Sequence, residues 1–453
     1  MVFSMAKPKS IFSCNQCGYE SPKWTGKCPE CGQWNSLEES EIRPRASKAQ
    51  KSSLKAPQLI SENQTAPQSR LVSGNREFDR VLGGGIFHSS VNLVAGDPGI
   101  GKSTLLLQIA GALVRKGITV LYVSAEESFW QIKNRAERLE LDKLTIPVLI
   151  ETELENILYH INQVNPQVVV VDSIQAIYSP NIAGAPGNVS QIRECSSQLF
   201  REAKEKGWSL FLVGHITKEG NIAGPKLLEH MVDVVIYFEG DSFNQYRILR
   251  SLKNRFGPAQ EIGLFLMEKD GLKEVPNPSH LFISDQSSNR VGSSVVCSFQ
   301  GSRPILAEIQ ALVARSNYGV PQRTVSGFDQ RKLALLLAIF EKHCGLNFSY
   351  YDVFVKIAGG LRIDDPAIDL GISAAIYSSY LNQPLNNQAV YIGEIGLNGQ
   401  VRSVSQLEKR VEEAVRLGFH SVYIPAWENL KMPKSKDFQV QPMKNISELL
   451  KLK

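Results

Sequence analysis

No stretch of this sequence is apolar for long enough to cross a bilayer, and the opening run Met1-Val2-Phe3-Ser4-Met5-Ala6-Lys7-Pro8-Lys9 lacks the apolar core of a signal peptide. The expected location is therefore the cytoplasm. Charge of one sign is also missing. Fifty Lys and Arg face 45 Asp and Glu, and the net +5 is too mild to argue for a nucleic-acid partner, although it is compatible with one. Tandem repeats are absent, which excludes a solenoid or propeller. Cysteine is thin: of seven, four fall in one short stretch, a clustering that a disulfide framework would not show in a cytosolic chain, and Cys195, Cys297 and Cys344 stand alone and read as small core residues. What remains is a 453-residue globular chain, 43% hydrophobic and 21% charged, with room for two or three domains.

The most informative stretch is Gly96-Asp97-Pro98-Gly99-Ile100-Gly101-Lys102-Ser103, with Thr104 next in line. It is a complete G-x-x-x-x-G-K-[ST] phosphate loop. Val91–Ala95 before it reads as a buried strand, and the apolar run from Leu105 reads as a helix. Glycines let backbone N–H groups turn inward around phosphate oxygens, and the helix N-terminus adds partial positive charge. Lys102 is placed to reach the β- and γ-phosphates, and the Ser103 hydroxyl to complete a Mg²⁺ shell. The chain is thus expected to bind and hydrolyse a nucleoside triphosphate.

Downstream, Val168-Val169-Val170-Val171-Asp172 has the form of the second nucleotide motif, an apolar strand ending in the carboxylate that holds Mg²⁺ through water. Leu121-Tyr122-Val123-Ser124-Ala125-Glu126-Glu127 ends a strand in two carboxylates, either suited to polarising a water; a solvated charged turn is the plain alternative. His215, at the end of Leu212-Val213-Gly214-His215, can report on the γ-phosphate, or be structural. Gly220–Gly224 reads as a polar loop suited to touching a polymer. Lys253-Asn254-Arg255-Phe256-Gly257 sets two cations at the exit of an edge-like strand, as a solvated turn or as a finger reaching a neighbouring subunit's γ-phosphate.

Cys14-x₂-Cys17 and, ten residues on, Cys28-x₂-Cys31 make a closed four-thiolate set suited to structural Zn²⁺, the alternative being a redox role for either pair. Such a module draws its folding energy from the metal. Trp24, Trp34, Lys23 and Lys27 are candidate surface contacts of this module, one tryptophan being equally readable as buried. These features divide the chain into a cysteine module (1–39), a basic flexible linker (40–68), a nucleotide-binding domain (69–275) and a second α/β domain (276–453). In the third region, strands at Val91–Ala95, Thr119–Ser124, Val168–Asp172, Leu210–Val213, Val234–Phe238 and Tyr246–Leu252 alternate with helices, which predicts a mostly parallel sheet. In the fourth, Leu281–Ser284, Ser294–Gln300, Pro304–Val313, Val390–Ile395 and Ser421–Ile424 read as strands, and Arg331–His343, Ala367–Leu381 and Leu407–Leu417 as helices.

The four cysteines, Leu82-Gly83-Gly84-Gly85-Ile86, the phosphate loop, Val123-Ser124-Ala125-Glu126-Glu127 and Lys253-Asn254-Arg255-Phe256-Gly257 follow in one order. Together they resemble the RadA (Sms) family of bacterial DNA repair proteins over essentially the whole chain. The resemblance implies a RecA-like ATPase core arranged as a hexameric ring, similar to helicases of the DnaB type, acting with ATP, Mg²⁺ and Zn²⁺. It implies work on single-stranded and branched DNA, with a recombinase (RecA) as partner. Glu126 falls at the water-activating glutamate of RecA-like proteins, and His215 at their γ-phosphate sensor. Lys253 and Arg255 fall on the family motif, in ATP sensing and DNA coupling. The C-terminal region is similar to the proteolytic domain of Lon, with a departure. Lon's serine position falls on or near Ile372 and its lysine on Glu408, whereas Ser373 and Lys409 are one residue off, which rotates a helical side chain by about 100°. A non-proteolytic assembly platform is therefore expected. The leading expectation is an ATP-driven DNA motor. Its rivals are a Lon-like protease, a filament-forming recombinase and an ATP-switched DNA-binding protein.

Overall fold

The computed structural model describes residues 10–14, 19–30, 32–41, 70–215, 226–240, 246–283, 290–316, 319–426 and 438–452. The linker from 42 to 68, the loop Gly220–Gly224, Cys17 and Cys31 lie outside these residues. The chain forms two compact units, Met1–Glu274 and Val275–Lys453.

Near the N-terminus, β1 (Ser10–Cys14), β2 (Glu20–Ser21) and β3 (Leu37–Glu41) form a small antiparallel sheet in the order β2-β1-β3. Its core is little more than Cys14, Cys28 and Leu37, with Phe12 and Tyr19 beside them. So few apolar groups offset little of the entropy of ordering the segment, in keeping with the metal that the cysteine spacing predicts.

The larger part of the first unit is built on a nine-stranded sheet. In chain order its elements are α1 (Arg76–Val81), β4 (Val91–Gly96), α2 (Lys102–Arg115), β5 (Val120–Ser124), α3 (Phe129–Arg138), β6 (Val148–Ile150), α4 (Leu154–Val164) and β7 (Val168–Asp172). Then follow α5 (Val189–Lys206), β8 (Ser209–His215), α6 (Lys226–Met231), β9 (Val234–Gly240), β10 (Tyr246–Asn254), β11 (Ile262–Glu268) and β12 (Gly271–Glu274). The order across the sheet is β12-β11-β10-β9-β4-β8-β7-β5-β6. From β9 to β6 the pairing is parallel, and β10, β11 and β12 are antiparallel additions. Strands β4, β5 and β7 are buried along their whole length, as expected for parallel strands covered on both faces. One core cluster lies on the side of α1 and α2 and another on the side of α4 and α5.

Two sequence expectations change here. Helix α4, β6 and the β11–β12 hairpin are additional elements. And β10 is not an edge strand, because β9 and β11 flank it on both sides.

The second unit comprises α7 (Ser279–Phe282), β13 (Ser293–Gln300), β14 (Arg303–Arg315), β15 (Arg323–Ser326), α8 (Gln330–Cys344), β16 (Tyr351–Ile357) and α9 (Asp369–Leu381). They are followed by β17 (Ala389–Tyr391), β18 (Glu394–Ile395), β19 (Val401–Arg402), α10 (Leu407–Arg416), β20 (Ser421–Pro425) and β21 (Gln439–Met443). Seven strands form a mixed sheet, β15-β16-β14-β13-β17-β20-β21. Of the expected strand Leu281–Ser284, Leu281 and Phe282 instead end the short helix α7, which starts after Pro278, and Ser284 lies outside the described residues. The expected single strand Val390–Ile395 is broken. Gly393 leaves the sheet to exchange backbone hydrogen bonds with Ala367 and Leu370, so Glu394 and Ile395 pair with β19 instead. Sequence reading gave no hint of Arg410, which is fully buried and donates to Cys297 O at 2.7 Å and to Asp365 at 2.7 Å. Pairing with both a carboxylate and a carbonyl is what makes burial of a guanidinium tolerable.

Candidate active site

The phosphate loop connects β4 to α2. Gly101 precedes α2 with φ +116°, and no side chain caps the first turn, so its N–H groups remain available for an anion. A Cβ at Gly96 would lie 2.5 Å from Phe238 O, and one at Gly101 would lie 2.7 Å from Met267 Cε, so the backbone can take this path only without side chains at those positions. Asp97, Pro98 and Gly99 are exposed, Ile100 and Thr104 are buried, and Ser103 is half-buried. Such a loop fits a triphosphate.

Lys102 is buried and donates to Gly96 O at 2.8 Å and to Asp97 O at 2.9 Å. Burial lowers its pKa, while the carboxylates of Asp172, Asp97 and Glu126 act in the opposite direction. Asp172 ends β7, one strand beyond β8 in the sheet, and is nearly buried. From β5, the Tyr122 hydroxyl donates to Asp172 Oδ2 at 2.6 Å, and the Tyr122 pKa is raised well above its usual value by burial and by that carboxylate.

The two candidate glutamates part company. Glu127 pairs with Arg135 of α3 at 2.6 Å, and its backbone is tied to the Ser124 side chain. Glu126 is exposed and accepts from Ser173 Oγ, directly after Asp172. Of the two, Glu126 is the one whose charge acts on Lys102. His215 ends β8 opposite Gly96, and its side chain lies outside the described atoms. Arg247, which sequence reading missed, reaches from β10 to donate to Ile100 O at 3.2 Å and braces the loop.

Lys253 and Arg255 are somewhere else. Asn254 pairs with Val234, and Val234 pairs with Asn92, at the beginning of β4; Gly96 is at its end. Four residues at ~3.3 Å rise put about 13 Å of strand between the two levels. Lys253 Nζ donates to Glu229 O at 2.7 Å, and its pKa is lowered by burial and by the neighbouring Arg255. Arg255 is 57% exposed in its side chain and stands 3.4 Å from Asp233 Oδ1. Asp233 is buried and also binds Lys204 at 2.5 Å and Val91 N at 3.0 Å.

In the ribbon, Cys14 and Cys28 are both buried in one small cluster. The Cys28 carbonyl accepts from Gly32 N at 2.9 Å and its N–H donates to Gln33 O, a tight turn at the second cysteine pair. The donor chemistry fits Zn²⁺, with Cys14 and Cys28 as the two described members of the four-thiol set; Cys17 and Cys31 lie outside the described residues. Both Trp24 and Trp34 are exposed, so neither is the buried aromatic that the sequence allowed. Cys28→Ser is expected to abolish zinc binding and to disorder roughly the first 35–40 residues, leaving the ATPase core folded. Stoichiometric zinc in a Cys28→Ser, Cys31→Ser double variant, measured by chelator titration, would show that other groups hold the metal.

In the second unit, Ile372 and Ser373 are fully buried in α9, and the Ser373 hydroxyl has no hydrogen-bond partner among the described residues. Glu408 and Lys409 are exposed on α10. Among the described residues, no base reaches the Ser373 hydroxyl.

A phosphate-loop ATPase of RecA-like α/β type, with an N-terminal zinc ribbon and a C-terminal Lon-like unit, is the class that this fold and site define. Family profiles match in the same order: a rubredoxin metal binding domain over residues 12–39, an AAA domain over 61–221 and subunit ChlI of Mg-chelatase over 312–428. The chain is 48% identical to the DNA repair protein RadA of Bacillus subtilis over 99% of both chains, and 45% identical to that of Listeria monocytogenes over 98% of both. It belongs to the DNA repair protein RadA family. Among solved structures it is similar to a KaiC-like protein from the hyperthermophilic archaeon Pyrococcus horikoshii, with 20% identity, a TM-score of 0.38 and coverage of 46% of this chain and 100% of that one. No described helix is long and apolar enough to cross a membrane.

Proposed function

We propose that the protein is an ATP-driven motor on single-stranded DNA, assembled as a hexameric ring, that processes branched intermediates in recombinational repair alongside a recombinase (RecA). The observation that carries this reading is the separation of the two halves of the ATP machinery. The phosphate loop, Asp172 and Glu126 gather at one end of the sheet, and Lys253 and Arg255 lie at the other. On this reading Lys253 and Arg255 act on a neighbouring subunit's site, as a finger supplied in trans.

The chemistry follows from the side chains. The uncapped start of α2 and the loop N–H groups receive the phosphates. Lys102 exchanges the carbonyls of Gly96 and Asp97 for phosphate oxygens. Asp172 and Ser103 are the groups that would hold Mg²⁺, which when bound neutralises the charge on the phosphates. Glu126 orients the attacking water and takes its proton. The partner's Arg255 and Lys253 then stabilise the charge that develops on the γ-phosphate. The buried Ser373, with no base in reach, supports a second unit that serves assembly and not peptide cleavage.

Glu126→Gln is expected to lower the turnover rate by about 100-fold or more while leaving nucleotide affinity within about twofold. Glu127→Gln breaks the Arg135 pair and is expected to lower thermal stability more than turnover. The opposite pattern in a phosphate-release assay would exchange their roles. The function as a whole is tested by ATPase rate with and without single-stranded DNA, coupled to unwinding of a forked substrate. DNA-stimulated turnover with unwinding is expected; turnover indifferent to DNA would overturn the motor reading.

A further inference from the structure

The turn that carries Arg255 is fastened to a loop far away in sequence. Arg70 Nη1 donates to Leu82 O at 2.9 Å and to Gly85 O at 3.1 Å, and its other arm donates to Phe256 O. Its guanidinium also lies over the Phe87 ring, 5.7 Å from the centroid. Phe87 in turn stacks on Phe256, with centroids 4.1 Å apart and planes inclined by 9°. Between these contacts Gly83 and Gly257 meet backbone to backbone: a Cβ on Gly83 would come within 3.2 Å of Gly257 Cα. Asn254 closes the turn from inside, its Oδ1 accepting from Phe256 N at 2.9 Å.

The residues of the Lys253–Gly257 stretch thus divide by task. Asn254, Phe256 and Gly257 face the glycine loop, while Lys253 and Arg255 carry the cations. The Arg255 side chain is more than half exposed, so its pairing with Asp233 adds little to stability. A three-carbonyl fork, a ring stack and a glycine contact are far more than such a side chain needs in order to fold. They fix the direction in which it leaves the domain. The glycine loop runs on into β4, so the loop that the finger turn is fastened to and the chain's own phosphate loop lie at opposite ends of one strand.

We infer that Arg70 and Phe87 are positioning residues for the Arg255 finger. They act through the Phe256 carbonyl and ring, and set the angle at which Arg255 meets the neighbouring subunit's phosphates. The inference rests on the trans role of Arg255 proposed above.

The test uses the full-length protein and a double-mutant cycle. Arg70→Ala is expected to lower DNA-stimulated turnover by about 10- to 100-fold, the cost of misplacing a group by about 1 Å. Affinity for a fluorescent ATP analogue should stay within about twofold, because the phosphate loop is untouched. Arg70→Ala combined with Arg255→Ala should be no slower than Arg255→Ala alone, since a mount without its finger has nothing left to position. Arg70→Lys keeps the charge but cannot bridge three carbonyls, and should remain impaired. If Arg70→Ala fails to fold, Phe87→Leu, which removes the ring stack from a surface position, takes its place in the same cycle. A folded Arg70→Ala or Phe87→Leu protein with normal turnover, or losses that simply add in the double variant, overturns the positioning role. Normal turnover in Arg255→Ala would instead overturn the finger reading beneath it.

Discussion

Lys102→Ala is expected to reduce ATP turnover by at least about 100-fold. The ammonium is buried within the loop, bonded to two loop carbonyls, and placed in the field of Asp172, Asp97 and Glu126. Three carboxylates around a phosphate site repel an incoming triphosphate, and Lys102 is the cation that offsets them at the loop. Removing it leaves Gly96 O and Asp97 O without this donor and gives the γ-phosphate a net negative surrounding. Burial lowers the lysine's pKa while the three carboxylates act in the opposite direction, as the charge of an incoming phosphate would. Phosphate release at saturating nucleotide, alongside thermal unfolding to verify the fold, is the measurement. Wild-type turnover in a folded Lys102→Ala protein would remove the ATPase assignment from this loop.

Arg255→Ala should give a loss of similar size by a different route. An arginine supplied in trans is worth about 10³-fold or more in turnover. Nucleotide binding should survive, since the finger stands about 13 Å of strand away from the chain's own loop. The fold should survive too, because Asp233 keeps Lys204 at 2.5 Å and Val91 N at 3.0 Å when the arginine is gone. A solvated turn arginine would instead change stability by no more than about 0.5 kcal/mol and leave function alone. Mixing separates the two further. If each site is completed by its neighbour, a small share of Arg255→Ala subunits poisons an excess of wild-type, and activity falls faster than the mutant fraction. A linear fall would argue for action within one chain.

The parts of the site that were legible in the sequence are contiguous ones. A phosphate loop is eight consecutive residues whose chemistry depends on local backbone path, so Gly96, Gly101 and Lys102 announce themselves without any tertiary information. The Val168–Asp172 strand and the paired Cys-x-x-Cys turns are local in the same way. Glu126 and Glu127 show the limit. As neighbours they are chemically identical in sequence, and only the packing of α3 and of the end of β7 against them reveals that Arg135 holds one and Ser173 the other. Tyr122, Arg247 and Arg70 were invisible because each acts on a residue 50 or more positions away. In the second unit, the periodicity of Val390–Ile395 suggested one strand, but the exchange of hydrogen bonds with Ala367 and Leu370 ended it early.

Sequence alone determined which ligands this protein is built for: a triphosphate, from a loop whose glycines and lysine are set by short-range sterics, and a thiophilic metal, from cysteine spacing. The order of its modules was equally plain, because composition changes at their boundaries. Tertiary structure decided where the candidate residues stand relative to one another. β10 runs antiparallel to β9, so the chain reverses after the phosphate-loop end and delivers Lys253 and Arg255 to the opposite end of the sheet. Strand direction and register are properties of long-range backbone pairing, which no local pattern of residues encodes.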